Sequence, residues 1–311
     1  MLRVTFLGTA ASRPTVGRNV SSVAVQREGE LMLFDCGEGT QRQMMRFGTG
    51  FNVGDIFLTH VHADHFLGVT GLLRTLALQD RAEPIRLWAP EGSAAIVWDA
   101  INLGRERVPF QVTVAELEPE QVIARTDFDI VAFPVRHGGR ALGYALIERP
   151  RLGRFNPGRA RELGVPEGPL FGRLHKGEAV EVDGRMITPD QVVGTPRPGR
   201  RLVYSGDTRP ARSTVAIAKG ADLLIHDATF AEDEAERARL TGHSTAREAG
   251  ELARAAGVTR LALTHVSARY ADDPRPLERE ARAAFRGAVV AWDGMEIEIP
   301  LQPGEDGEPP A

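Results

Sequence analysis

The sequence predicts an α/β protein, one large sandwich in two halves, and three observations carry that prediction. Short apolar stretches alternate with amphipathic ones from residue 1 to about 148 and again after residue 200. Between them, residues 150–200 hold 7 of the 20 prolines and 9 of the 33 glycines, a composition that reads as an insertion rather than core. The chain has 311 residues, 42% hydrophobic and 26% charged, which suits a globular fold with one main core and excludes disordered and membrane-embedded classes.

Taken in order, strands are predicted over 4–7, 20–26, 31–34 and 55–58, separated by Gly-rich turns, with a helix-like FLGVTGLLRTLALQ after the fourth. After residue 200 the strands fall at 201–204, 223–225, 261–263 and 289–291. They alternate with helices near 211–219, 245–256 and 276–285. The predicted boundaries are therefore 1–149 and 201–300 for the main domain, 150–200 for an inserted arm and 301–311 for a disordered tail, with PGEDGEPPA rich in Gly and Pro.

The N-terminal MLRVTFLGTAAS lacks the apolar run and cleavage site of a leader, and no later run is long enough to span a bilayer, so a cytoplasmic protein is expected. The single cysteine, Cys36, excludes a disulfide framework and a multi-cysteine zinc site, leaving a packing role. Net charge is −4, but residues 151–201 carry ten Arg or Lys against six acids, so the arm is a basic element on an acidic body.

The most informative stretch is HVHADH, directly after the strand IFLT. In an extended segment residues two apart share a side, so His60 and His62 can hold one ion while the turn aims Asp64 and His65 at a second. Three imidazoles and a carboxylate within six residues would be costly to desolvate without a cation. Further ligands stand at predicted strand ends: His137 in PVRHGG, Asp207 in YSGDTRP and His265 in LALTHVS. Imidazole with carboxylate suits two zinc ions, with manganese as an alternative, whereas magnesium or calcium would call for more carboxylates.

This series of motifs is that of the metallo-β-lactamase superfamily, and it covers nearly the whole chain. The resemblance implies a four-layer αββα sandwich, one zinc on His60, His62 and His137, a second on Asp64, His65 and His265, and Asp207 bridging. Within the superfamily, FLGTAASRPTVGRNVSS, DCGEGTQRQ, SGDTRP, HDATF, GHST and THVSARY together resemble bacterial tRNase Z, as does LGVPEGPLFGRLHKGE in the arm. That family resemblance implies a homodimer whose arm clasps the elbow of precursor tRNA, with Gly168, Pro169, Gly172 and Lys176 among its contacts. It also implies removal of the 3′ trailer, leaving a tRNA 3′-hydroxyl and a 5′-phosphorylated trailer.

The chemistry follows from the residue types. Two divalent ions supply a bridging hydroxide at neutral pH and neutralise the charge of the attacked phosphate; Asp64 is the residue to touch that water. His243 is left to protonate the departing 3′-oxygen, oriented by Asp227, which stands where the family has Glu. His226 is read as structural. Residues 14–19 match the family's PxKxRN loop beside the acceptor end, with Val16 in place of Lys, making Arg18 and Asn19 RNA contacts. Thr245, Ser267 and Arg269 are candidate phosphate contacts. A small-molecule phosphodiesterase or arylsulfatase-like hydrolase would share every metal ligand; the basic arm and the HDAT and GHST pair favour tRNA.

Overall fold

The computed structural model describes residues 1–301; the predicted tail from 302 onward lies outside the described residues. Two seven-stranded sheets are built from β1 (Leu2–Gly8), β2 (Ser22–Arg27), β3 (Glu30–Phe34), β4 (Val53–Phe57), β5 (Ile85–Pro90), β6 (Val112–Leu117), β7 (Val122–Ala124), β8 (Phe128–Pro134) and β9 (Leu142–Glu148). After the two short strands β10 (Val180–Val182) and β11 (Arg185–Ile187) come β12 (Arg201–Tyr204), β13 (Leu223–Asp227), β14 (Leu261–Thr264), β15 (Ala288–Val290) and β16 (Glu296–Glu298). The first sheet runs β16-β1-β2-β3-β4-β5-β6 and the second β15-β14-β13-β12-β9-β8-β7. Strands β3 to β6 are parallel, as are β12 to β15, so their carboxyl ends gather on common edges.

Strand alternation builds the layers. Phe6, Phe34 and Phe57 pack between the sheets against Tyr144, Tyr204 and Ile225. Their neighbours Leu7, Leu33 and Leu58 turn to the other face. There they meet α1 (Thr40–Phe47), α3 (Gly68–Leu78) and α4 (Ala94–Ile101), with the four-residue α2 (Ala63–Phe66) leading into α3. On the second sheet, α9 (Ala246–Ala256) packs on β13 and β14, and α10 (Arg275–Ala284) packs on α9, completing four αββα layers.

The chain divides into two compact units, one of Met1–Leu146 with Arg201–Pro300 and one on Ile147–Arg200. The second unit has more regular structure than its Pro and Gly content suggests. Helices α5 (Pro157–Glu162) and α6 (Pro169–His175) each begin with proline at the first turn, where its missing N–H costs nothing. With the β10–β11 hairpin they enclose a small core of their own, Ala160, Val165, Leu174, Val180, Ile187 and Val192. Its arginines are also partly neutralised: Arg159 pairs with Glu162, Arg161 with Glu167 and Arg173 with Glu178. The remaining helices, α7 (Arg212–Ile217) and α8 (Ala235–Thr241), belong to the first unit. Among the described residues no helix is long and apolar enough to cross a membrane.

Candidate metal centre

Five histidines and three aspartates from separate strand ends meet in one place. His60 follows β4, His62 caps α2 and Asp64 and His65 fill its first turn; His137 follows β8, Asp207 follows β12, Asp227 ends β13 and His265 follows β14. The Nδ1 of His62 stands 2.9 Å from Nε2 of His60 and 3.2 Å from Nε2 of His137. On the other side Asp64 Oδ2 lies 3.3 Å from Nε2 of His265 and 3.5 Å from Nε2 of His65. Asp207 stands between: its Oδ1 is 3.3 Å from His65 Nε2, and its Oδ2 is 3.3 Å from His265 and 3.8 Å from His60.

The opposite edges of the rings decide what those nitrogens carry. His65 Nδ1 lies 2.8 Å from a carboxylate oxygen of Asp35, and His137 Nδ1 lies 2.9 Å from the carbonyl of Gly242, so both are N–H donors. His60 Nδ1 faces the Thr59 hydroxyl, which itself donates to Asp35; His265 Nδ1 faces the Thr229 hydroxyl, which donates to Asp227. Each hydroxyl has its proton engaged, so each imidazole must donate. The Nε2 atoms of His60, His65, His137 and His265 are thus bare lone pairs converging with two carboxylates.

Burial makes that convergence costly without a cation. His60, His65, Asp207 and His265 are all nearly inaccessible to water, and His65 Nε2 and Asp207 Oδ1 have no hydrogen-bond partner at all. Burial, then the neighbouring His65, pushes the His60 ring below the ordinary histidine range, which keeps it neutral as a ligand must be. The donor atoms fall in tight groups: His60, His62 and His137 in one, Asp64, His65 and His265 in another, with Asp207 joined to His60 and His65. These residues fit divalent metal. Asp227, His243, Asp207 and His265 are also close, but both Asp227 oxygens are saturated by Thr208 N–H, Thr229 N–H, the Thr229 hydroxyl and His243.

His243 Nδ1 lies 2.8 Å from Asp227, a contact the shorter side chain at this position still makes. Although burial opposes it, the Asp227 and Asp207 carboxylates push the His243 ring up to about 9. Gly242, at φ 86°, turns the chain so that its carbonyl meets His137 while His243 meets Asp227. His226 is fully buried on the opposite face of β13, Nδ1 against its neighbour's carbonyl.

Two RNA contacts expected from the sequence are committed elsewhere. Arg18 is buried, its guanidinium turned inward to donate to the Thr9 hydroxyl and the Ala291 carbonyl, because that bond satisfies a loop closure. Thr245 is buried as the cap of α9, its hydroxyl accepting from Glu248 N–H and donating to Glu232, leaving nothing for a phosphate. Arg269 is exposed and paired with Glu234, and Asn19 donates to the Glu38 carbonyl. In the second unit Gly168, Pro169, Gly172 and Lys176 are exposed at or beside α6.

Sequence reasoning missed Asp35. It is fully buried and takes four donors: His65 Nδ1, Tyr204 OH, and the N–H and hydroxyl of Thr59. The available signal was its place in DCGEG at the end of a strand. Its φ of 57°, with His265 at 57° and Ser12 at 59°, puts left-handed backbone at three points around the site.

Comparison with known proteins identifies the chain's relatives. Residues 15–265 match the metallo-beta-lactamase superfamily. The chain is 58% identical over 303 residues to a protein named ribonuclease Z from Gemmatimonas aurantiaca, covering 96% of both chains. It is 53% identical to a ribonuclease Z from Myxococcus xanthus, covering 97% of this chain and 99% of that one. Among solved structures it is similar to the short form of human tRNase Z, at 28% identity and TM-score 0.71 over 96% of this chain and 100% of that one.

Proposed function

The chain belongs to the ribonuclease Z family of the metallo-β-lactamase superfamily, and from that premise we propose how its site removes the 3′ trailer from precursor tRNA. It is an endoribonuclease that hydrolyses a phosphodiester, leaving a tRNA 3′-hydroxyl and a 5′-phosphorylated trailer. The observation that carries the mechanism is the convergence of bare imidazole nitrogens with Asp64 and Asp207.

In this reading His60, His62 and His137 would hold one zinc and Asp64, His65 and His265 a second, with Asp207 available to both; the mixed imidazole and carboxylate set also suits manganese. When bound, such a pair lowers the pKa of water toward neutrality and offsets charge building on the phosphate. Asp35, Thr59, Thr229 and Gly242 hold the rings in the tautomer that leaves Nε2 free. Asp64 Oδ2 is engaged by the Ser12 N–H at 2.8 Å, so this carboxylate serves first as a ligand. His243, tied at Nδ1 to Asp227, presents its Nε2 proton to the departing ribose 3′-oxygen.

The segment 150–200 serves as the arm that holds the tRNA body, with Lys176 a phosphate contact, and Ser267 offers a hydroxyl to a phosphate. A homodimer, drawn from the family resemblance, and a cytoplasmic location, drawn from the sequence, complete the proposal.

The test is incubation of the protein with zinc or manganese and an end-labelled precursor tRNA, beside His65→Ala. One metal-dependent cut after the discriminator base, absent from the variant, is expected. An intact tRNA alongside a hydrolysed small diester would remove the substrate assignment and leave the metal site standing.

A further inference from the structure

Two segments that each carry a candidate ligand meet at the border of the metal centre. Arg136 directly precedes His137, and Arg209 closely follows Asp207. They face each other in an isolated antiparallel bridge, with Arg209 N–H donating to the Arg136 carbonyl at 3.0 Å. Thr208 fastens the corner from within: its N–H donates to Asp227, its hydroxyl accepts from Arg136 N–H at 3.0 Å, and its carbonyl accepts from the Ser244 hydroxyl at 2.6 Å. The backbone under both arginines is thus held by the carboxylate that also holds His243.

The side chains on this fixed corner are placed at a cost. Opposed residues of an antiparallel bridge project to one face with their Cβ atoms about 5 Å apart, and like charges so placed repel. No acid relieves them, since among the described residues neither guanidinium has an ion-pair partner. Arg136 is exposed; Arg209 is half-buried, and its Nε is shielded from water without any hydrogen-bond partner. Exposed arginines elsewhere on the chain close on a carboxylate, as Arg140 does on Glu91 and Arg275 on Asp273. Arg212, exposed and likewise without an acid, opens α7, and Ser213 beside it donates to the Pro134 carbonyl at the end of β8, so a third cation joins the corner.

We propose that Arg136 and Arg209 form an anion site that grips a phosphate of the RNA strand next to the one being cut. The inference rests on the tRNA-processing reading. Two guanidiniums on one face offer forked N–H donors to phosphate oxygens, and the bound anion removes the repulsion that the free protein carries. The phosphate belongs either to the trailer or to the acceptor end, which offer the same chemistry. One consequence separates this site from ordinary surface charge: glutamate at position 136 stands opposite Arg209, so it stabilises the fold while it weakens RNA binding.

The experiment compares the wild type with Arg136→Gln, Arg136→Lys, Arg136→Glu and Arg209→Gln, all zinc-loaded, on precursor tRNAs that carry either a long trailer or a single trailing nucleotide. For Arg136→Gln the expected result is a rise of about tenfold in KM at unchanged kcat, with the log–log salt slope smaller by about one. Arg136→Lys keeps the slope and recovers part of the KM. Arg136→Glu raises KM further and melts above the wild type in a thermal scan. A loss confined to the long trailer assigns the phosphate to the trailer, and an equal loss on both precursors assigns it to the acceptor end. Arg136 is exposed, so its variants decide the matter where Arg209→Gln fails to fold. Wild-type KM and salt slope in Arg136→Gln overturn the proposal, as does an Arg136→Glu protein that melts below the wild type. A fall in kcat together with lost zinc also overturns it, reducing the arginines to support of His137 and Asp207. A wild-type protein that leaves both precursors intact defeats the functional reading itself and this inference with it.

Discussion

Replacing Asp35 with Asn should weaken metal binding without touching a ligand. The native carboxylate takes Thr59 N–H on Oδ1 and His65 Nδ1 and Tyr204 OH on Oδ2, while the Thr59 hydroxyl lies within 3.0 Å of both oxygens. An amide keeps one oxygen and turns an NH2 toward the other pair. If the NH2 faces His65, the imidazole loses the acceptor that holds its Nε2 lone pair toward the centre. If it faces Thr59, a buried N–H meets a donor and the hydroxyl that orients His60 is disturbed. Asn tolerates the φ of 57° at this position, so little backbone strain confuses the result. Losing such a partner of a ligand typically lowers metal affinity about 10- to 100-fold, roughly 1.4–2.8 kcal/mol. One or two buried donors left without acceptors cost about 1–6 kcal/mol of stability in addition. Competition with a chromophoric chelator measures the affinity and a thermal scan the stability. Wild-type zinc affinity in a folded Asp35→Asn protein would refute the reasoning.

Further outcomes follow from the same geometry. His243→Ala should slow tRNA cleavage by about a hundred- to ten-thousandfold while zinc, measured by atomic absorption, stays bound; an emptied site would show that the ring serves the metal instead. Lys176→Glu should raise KM for precursor tRNA and flatten its dependence on salt, the log–log slope changing by about one or more units, because an exposed phosphate contact is removed. An unchanged slope would take Lys176 out of the RNA contacts. Cys36 is fully buried and burial pushes its thiol up to about 12, so it should resist a disulfide reagent in the native protein and react at once in denaturant. Rapid native labelling would contradict the packing around β3.

How far the site could be read in advance depended on how local its chemistry is. His60, His62, Asp64 and His65 share six residues, and His137, Asp207 and His265 each stand at the end of an apolar strand, so residue type and spacing alone marked them. The four layers were implied by the same motif series, and strand alternation such as Phe57 beside Leu58 carries them through. The arm was legible as an interruption, but its two helices and private core were not, because proline reads as a breaker unless its place at a helix start is known.

What the sequence by itself determined, then, was the donor set, the order of the strands that bear it and the kin it resembles. Only the tertiary structure decided which nitrogen each histidine offers and what the plain residues around them do. Asp35 meets Tyr204 across 169 residues and Asp293 meets Thr9 across 284. Arg18 and Thr245, candidate RNA contacts from the sequence, are spent on Ala291 and on the cap of α9. The reason is physical: a histidine cluster announces a metal by its desolvation cost, whereas an aspartate, threonine or arginine takes its meaning from whichever distant donor or acceptor folding brings within hydrogen-bond reach.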